Sequence, residues 1–353
     1  IYLSSGSDYS IVQDSHIAGC GAHGIYANDA KYSIIQRNVV MHAGSGAGIS
    51  LIAFSYDSDY GYYPIEVKNN VCSATNADGI YVAADCGDPD TGPAFKNNFV
   101  SASGTGKYCV SAYDVLSIES SDYNDLLPTD RAKVGKIYQY EASTLWEWQS
   151  AMGWDSHSIS VNPLFGDLAN GDYHLKSTKG RWDPSANGGA GTWVIDTVDS
   201  LCIDAGDPVD PVGSEPEPNG NRINIGAYGG TKEESKSPEA RWLLFESAGR
   251  KGILHAYEPI RWSARGSAWA TGARVHCDYS DDSGVTWNLI PDAESLEYDS
   301  SLFWWDSRQV PDGTTYRFRV VSNTTPEIVA SSDRDYTVGN TPAIVRSIVR
   351  TSA

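Results

Sequence analysis

The chain has 353 residues, more than one domain usually holds, so two or three units with separate cores are expected. Its formal net charge of -19 excludes nucleic acid and anionic lipid as main partners, because binding phosphate needs clustered Lys and Arg. No stretch approaches the ~18 consecutive apolar residues of a membrane span, so no membrane insertion is expected.

The composition holds 21 Tyr and 11 Trp against 7 Phe. This favours rings with an apolar face and a hydrogen-bonding edge, which stack well on sugars and also fill β-sheet cores. Six cysteines (Cys20, Cys72, Cys86, Cys109, Cys202 and Cys277) show no metal-like spacing. Cys72 with Cys86, or cysteines on neighbouring coils, can form disulfides; buried free thiols are the equal alternative. The chain opens at Ile1 without a charged start and cleavage site, which reads as a mature product or a piece of a larger multidomain chain.

From the N-terminus an internal repeat aligns without gaps. Val12-Gln13-Asp14-Ser15-His16-Ile17, Ile35-Gln36-Arg37-Asn38-Val39-Val40, Val67-Lys68-Asn69-Asn70-Val71-Cys72 and Phe95-Lys96-Asn97-Asn98-Phe99-Val100 are its copies. Ser15, Asn38, Asn70, Asn98 and, less cleanly, Asp122 occupy equivalent places. A second strand follows each copy: Gly24-Ile25-Tyr26, Gly48-Ile49-Ser50, Gly79-Ile80-Tyr81 and, more weakly, Lys107-Tyr108-Cys109. Short alternating strands broken by Gly, Asn and Asp at this period are coils of a parallel β-solenoid. Stacking makes Val12, Ile35, Val67 and Phe95 an inward apolar column. Asn38, Asn70 and Asn98 become an amide ladder at a turn, where Asn tolerates the left-handed conformation.

Two coils are longer than the rest, through residues 53–63 and 84–92, and both insertions follow a Gly-Ile strand. Two adjacent loops at one corner are expected. Beyond Leu126 the repeat fades, and Glu141 to Met152 reads as an amphipathic helix that Ser143 or Thr144 can cap, with Leu145, Trp146, Trp148 and Met152 as its apolar stripe. A Gly-, Pro- and Asp-rich stretch runs from Val161 to Gly230, and residues 232–238 read as a linker. Short strands and turns then fit a β-sandwich, Val275 to Ser280 and Tyr316 to Val320 among them. The expected fold is all-β: a right-handed parallel β-helix over 1–125, an irregular capping extension over 126–231, and a C-terminal β-sandwich over 239–340.

Gly153 to Ser160, Asn162-Pro163-Leu164-Phe165, Asn170 to Leu175, Cys202 to Asp207 and Asn224 to Tyr228 resemble the closing region of large secreted bacterial proteins with pectate-lyase-like right-handed β-helices. That group includes polysaccharide lyases, glycosidases, carbohydrate-binding modules and surface proteins, so the resemblance implies architecture and an extracellular, secreted or cell-surface setting. Tyr279 to Trp287, and Trp305-Asp306 through Val310 to Gly313, resemble immunoglobulin-like or fibronectin-like modules, which usually act as spacers.

A lyase on uronic acids needs a base and a cation, which singles out the outward column of Gln36, Lys68 and Lys96 with Arg37 beside it. A glycosidase needs paired carboxylates, which the acidic loops can supply. His16, His23 and His42 lie on successive coils without triad partners. A binding face needs flat rings along a groove, and Tyr26, Tyr56, Tyr60, Tyr62, Tyr63 and Tyr81, with Asp57, Asp59 and Lys68, form the candidate. Asp85, Asp88 and Asp90 are the candidate metal ligands, and calcium is the ion they suit, although no cofactor is required.

The expected function is a non-catalytic carbohydrate-binding module of a larger secreted polysaccharide-degrading protein, with plant polysaccharide such as xylan as partner. A lyase or glycoside hydrolase using the same groove is the enzymatic alternative, and a structural cell-surface protein the third.

Overall fold

The computed structural model describes residues 1–42, 44–52, 65–83, 92–238, 241–249, 253–266, 269–332 and 334–340. The chain divides into two compact units, Ile1–Ala240 and Arg241–Ala353. The first is a right-handed parallel β-helix with three strand columns.

The first column stacks β1 (Tyr2–Leu3), β4 (Ile25–Asn28), β7 (Ala47–Ile52), β10 (Asp78–Ala83), β13 (Tyr108–Ala112) and β16 (Lys133–Ile137), and β17 (Tyr140–Ala142) closes it antiparallel. The second stacks β2 (Ile11–Gln13), β5 (Ile34–Gln36), β8 (Glu66–Lys68), β11 (Ala94–Lys96) and β14 (Ser120–Asp122). The third stacks β3 (His16–Ala18), β6 (Val39–His42), β9 (Val71–Thr75), β12 (Phe99–Ser103) and β15 (Asp125–Thr129). Strands in register therefore continue to Ile137.

The apolar column forms as expected, since Val12 pairs with Ile35, Ile35 with Val67, and Val67 with Phe95. All four belong to one buried core with Ile25, Ile49, Ile80 and Val110 from the first column. Glycines at the head of these strands meet a crowded wall. A Cβ on Gly48 would lie 2.3 Å from the Cys72 sulfur and 2.9 Å from the Gly79 carbonyl oxygen.

The amide ladder is continuous. The Asn70 Oδ1 accepts both the backbone N–H and the side-chain amide of Asn38 at 3.0 Å, and Asn98 does the same for Asn70. Each amide also donates to the carbonyl of the preceding coil's inward residue, Val12, Ile35 or Val67. Two expectations are corrected. The next rung is Asn124, which accepts from Asn98 at 3.0 Å, while Asp122 is outward and pairs in register with Lys96. The left-handed position is taken by the residue before each ladder Asn, as at Arg37, Asn69, Asn97 and Tyr123. The ladder Asn is thus selected by its amide, which satisfies buried backbone groups that no strand pairs.

The fourth copy of the second strand lies two residues later than the sequence alignment puts it. Ile80 pairs with Val110, so Cys109 follows Gly79 in the stack. A slip of two leaves every side chain on its own face, which is why alternation alone did not exclude it.

Helix α1 spans Leu145–Met152, capped by Thr144 with Glu147 in a capping box; residues 141 and 142 belong to β17 instead. Its Trp148 is fully buried against the end of the solenoid core. There Asp155 ends the ladder, accepting from Asn124 at 3.1 Å, Ser158 at 2.6 Å and the Trp148 indole N–H at 2.8 Å. The remaining segment to 237 packs a second core of Ile159, Tyr173, Leu175, Cys202, Ile203 and Ile225 onto Val39, Val71 and Phe99 of the third column.

The second unit is a β-sandwich. One sheet comprises Trp242–Ala248, Tyr257–Arg265 and Leu302–Asp306, and the other is built on Arg274–Ser280 and Gly313–Ser322. Ile260, Trp262 and Trp305 meet Val275, Phe318 and Val320 in their shared core. Trp304, one residue from Trp305, alternates to the outside. Cys20, Cys72, Cys109, Cys202 and Cys277 are free thiols, and Cys86 lies outside the described residues. Burial pushes the Cys72 thiol up to about 12, so it remains protonated in the core.

Candidate site on the solenoid flank

Of the residues read as a binding face, Tyr56, Asp57, Asp59, Tyr60, Tyr62 and Tyr63 lie outside the described residues, as do the metal candidates Asp85, Asp88 and Asp90. Among the described residues, no group of three or more His, Cys, Asp or Glu side chains is placed to hold a metal ion. Tyr26 and Tyr81 are described, and both alternate outward with buried neighbours on the first column. The register puts Ser50 between them, so the rings are two coils apart, about 10 Å. Tyr26 stacks on Tyr2, with centroids 5.2 Å apart and planes 10° apart.

Lys68 lies on the second column, whose outward faces form a shallow groove of about 290 Å³. Glu66, Lys68, Ala94, Lys96, Ser120, Asp122 and Asp207 contribute to its lining. The strand pattern fixes this arrangement. Glu66, Ala94 and Ser120 share one outward row, and Lys68, Lys96 and Asp122 the next.

Each lysine of the groove has a carboxylate partner. Lys68 pairs with Glu66, and Lys96 is held by Asp210 at 2.6 Å and Asp207 at 3.4 Å. Asp207 and Asp210 are fixed in turn, because the Asp207 N–H donates to Asn97 Oδ1 at 2.7 Å and Asn97 Nδ2 donates to Asp210 at 2.8 Å. Asp122 binds the His157 ring nitrogen Nδ1 at 2.7 Å and its backbone N–H at 2.8 Å. Tyr123 stacks on that imidazole at 4.8 Å.

This pairing bears on the proton-abstraction chemistry considered for the column. Partial burial disfavours the Lys96 ammonium, but Asp210 and Asp207 outweigh it and raise the pKa, the opposite of what a neutral base requires. Gln36 donates to Gln13, and Arg37 pairs with Asp14, both on the preceding coil. The histidines have structural contacts: His23 accepts the Ala47 N–H at 3.1 Å, and His42 is buried and accepts from Gly44 at 3.2 Å. His16 meets the edge of Tyr173.

A further set of rings lies in the turns that follow first-column strands. Tyr9 and Tyr32, each two residues before a second-column strand, stack at 4.7 Å with planes 9° apart. Both long insertions also join a first-column strand to a second-column strand, between Ile52 and Glu66 and between Ala83 and Ala94. In the following coils Tyr113 and Tyr138 come directly after the first-column strands, with their N–H groups donating to Val82 and Ala112. Tyr113 is 56% exposed and Tyr138 65%. Tyr9, Tyr32, Tyr113 and Tyr138 are not among the tyrosines the sequence singles out, because those lie in the insertions or on the Gly-Ile-Tyr strands. Their common signal is the place each takes directly after or between strands that the repeat aligns.

Residues 1–122 match a family model described as a right handed beta helix region, and residues 147–206 match one described as disaggregatase related. Comparison with curated proteins and with solved structures gave no match. Family match and strand register agree that the N-terminal unit is a right-handed β-helix protein.

Proposed function

We propose that this chain is a carbohydrate-binding protein whose β-helix holds a polysaccharide along its flank, outside the cell, as a module of a larger polysaccharide-directed protein. The observation that carries the reading is the exposed tyrosines in the turns after first-column strands, Tyr113 and Tyr138 on neighbouring coils and Tyr9 stacked on Tyr32 in the first two. Flat amphipathic rings spaced along a rigid surface bind sugar faces while their hydroxyls remain wet. The β-sandwich, with its resemblance to immunoglobulin-like modules, serves as a spacer.

Affinity gel electrophoresis against xylan, mannan, β-glucan and polygalacturonate tests this reading. Retardation by at least one polymer is expected, and the double substitution Tyr113→Ala with Tyr138→Ala should weaken it about ten-fold. Retention by none of them overturns it in favour of a structural rod.

One observation favours an enzymatic second reading. Glu66 and Asp122 face the same groove from strands on either side of β11. That places two carboxylates across a site where a glycosidic bond can lie. Release of reducing ends from a bound polymer, lost in Asp122→Asn, distinguishes hydrolysis from binding.

A further inference from the structure

The groove on the second column has a floor and a charge pattern that go beyond a general affinity for polymer. Ala94 lies between Glu66 on one neighbouring strand and Ser120 on the other. A methyl group there leaves a depression between two polar side chains about 10 Å apart, since strands are spaced at about 4.8 Å. The stems of Lys68 and Lys96 run beside it and present methylene surface. At about 290 Å³ the groove lies just below the roughly 300 to 1,000 Å³ of small-molecule sites.

Its lysines are already engaged by carboxylates, which outnumber them. Glu66 meets Lys68, while Asp207 and Asp210 hold Lys96. Asp122 is engaged by His157. A carboxylate or sulfate on an incoming sugar finds each groove lysine already paired with a carboxylate. A hydroxyl, which both donates and accepts, can bridge the ammonium and carboxylate members of each pair.

We infer that this groove is a subsite for one uncharged pyranose ring of a polysaccharide, with Ala94 as the residue that makes room for it. The ring's apolar face rests on the Ala94 methyl and the lysine stems, and its hydroxyls reach Glu66, Ser120 and Asp122. This inference rests on the polysaccharide reading above and deepens it by naming the ligand class and the floor residue.

Ala94→Trp fills the depression from an outward position, so the inward core is left in place. Ser120→Trp does the same from the exposed neighbouring strand and serves as a second variant if the first folds poorly. Folding is checked by circular dichroism and thermal unfolding, and binding by calorimetry and affinity electrophoresis on xylan, mannan, β-glucan and polygalacturonate. The expected result is that neutral glycan is bound in preference to polygalacturonate and that each tryptophan weakens binding at least about ten-fold.

Preference for polygalacturonate, or unchanged binding in a folded tryptophan variant, overturns the subsite. If both tryptophan variants bind normally while Tyr113→Ala with Tyr138→Ala does not, the groove fails and the polysaccharide reading stands. If the unaltered protein binds none of the polymers, both fail.

Discussion

The coils of the solenoid and the segment that closes it, residues 145–237, satisfy their buried polar groups in opposite ways. At the ladder turn the coils use neutral amides, Asn38, Asn70 and Asn98, each completed by the same residue one coil further on. The closing segment instead buries Asp155, Asp172, His174, Arg181, Asp204, Glu215 and Glu234. The difference follows from translation. A repeat supplies an identical partner at every step, so one residue type suffices, whereas a segment that stops the repeat has no such neighbour and must meet each N–H with an individually placed acceptor. Asp155 is where one arrangement hands over to the other.

The largest effect is expected from breaking a charge in the closing segment. Asp172 accepts from Arg181 at 2.6 Å and contacts His174 Nδ1 at 2.6 Å. Asp172→Ala strips the buried guanidinium of one of its carboxylates, since Asp196 at 3.1 Å remains, and should destabilise the first unit by about 3 to 5 kcal/mol in urea unfolding. A loss below about 1 kcal/mol would mean that the charges do not hold this segment.

A smaller loss, about 2 to 3 kcal/mol, is expected for Asn98→Ala, which leaves the buried amide and N–H of Asn70 without their acceptor. Asn70→Ala should cost the same within error, because the rungs are alike. Clearly unequal losses would break the picture of a uniform ladder.

The third contrast is with pH. Burial raises the Asp125 carboxyl to about 7, against the smaller opposing pull of the Val161 N–H and the Cys202 thiol. Glu215 and Glu234 are raised in the same direction, first of all by burial. A carboxyl that keeps its proton in the folded state and loses it in the unfolded state favours folding at low pH, and that contribution is lost as pH rises through the folded value. For Asp125 the window is about pH 4 to 7, with a slope of up to about 1.4 kcal/mol per pH unit. Asp125→Asn should flatten the stability curve over that window relative to the unaltered protein, while Asn98→Ala should leave the slope unchanged. Equal slopes with and without Asp125 would remove it as the titrating group.

Much of the solenoid was legible because its signal is repeated. Val12, Ile35, Val67 and Phe95 aligned on apolar character, and Asn38, Asn70 and Asn98 on a side chain with one geometric task. Legibility failed where the coil changed length: the step from Asn98 to Asn124 is longer than the expected step to Asp122, and a short 3-10 turn at Val115–Ser117 precedes β14. Of the candidate site, Lys68 and the outward setting of Tyr26 and Tyr81 were legible from alternation. The wall formed by Asp207 and Asp210 was not, since these residues reach Lys96 across 111 and 114 positions of chain and belong to no local pattern.

By itself, then, the sequence determined the coil, its inward column and its ladder, since a stacked repeat turns local periodicity directly into contacts between neighbours. Only the tertiary structure decided the groove. Whether an outward lysine is a free cation, a base or half of a clamp depends on which distant segment folds back over it, and for Lys96 that segment brings two carboxylates.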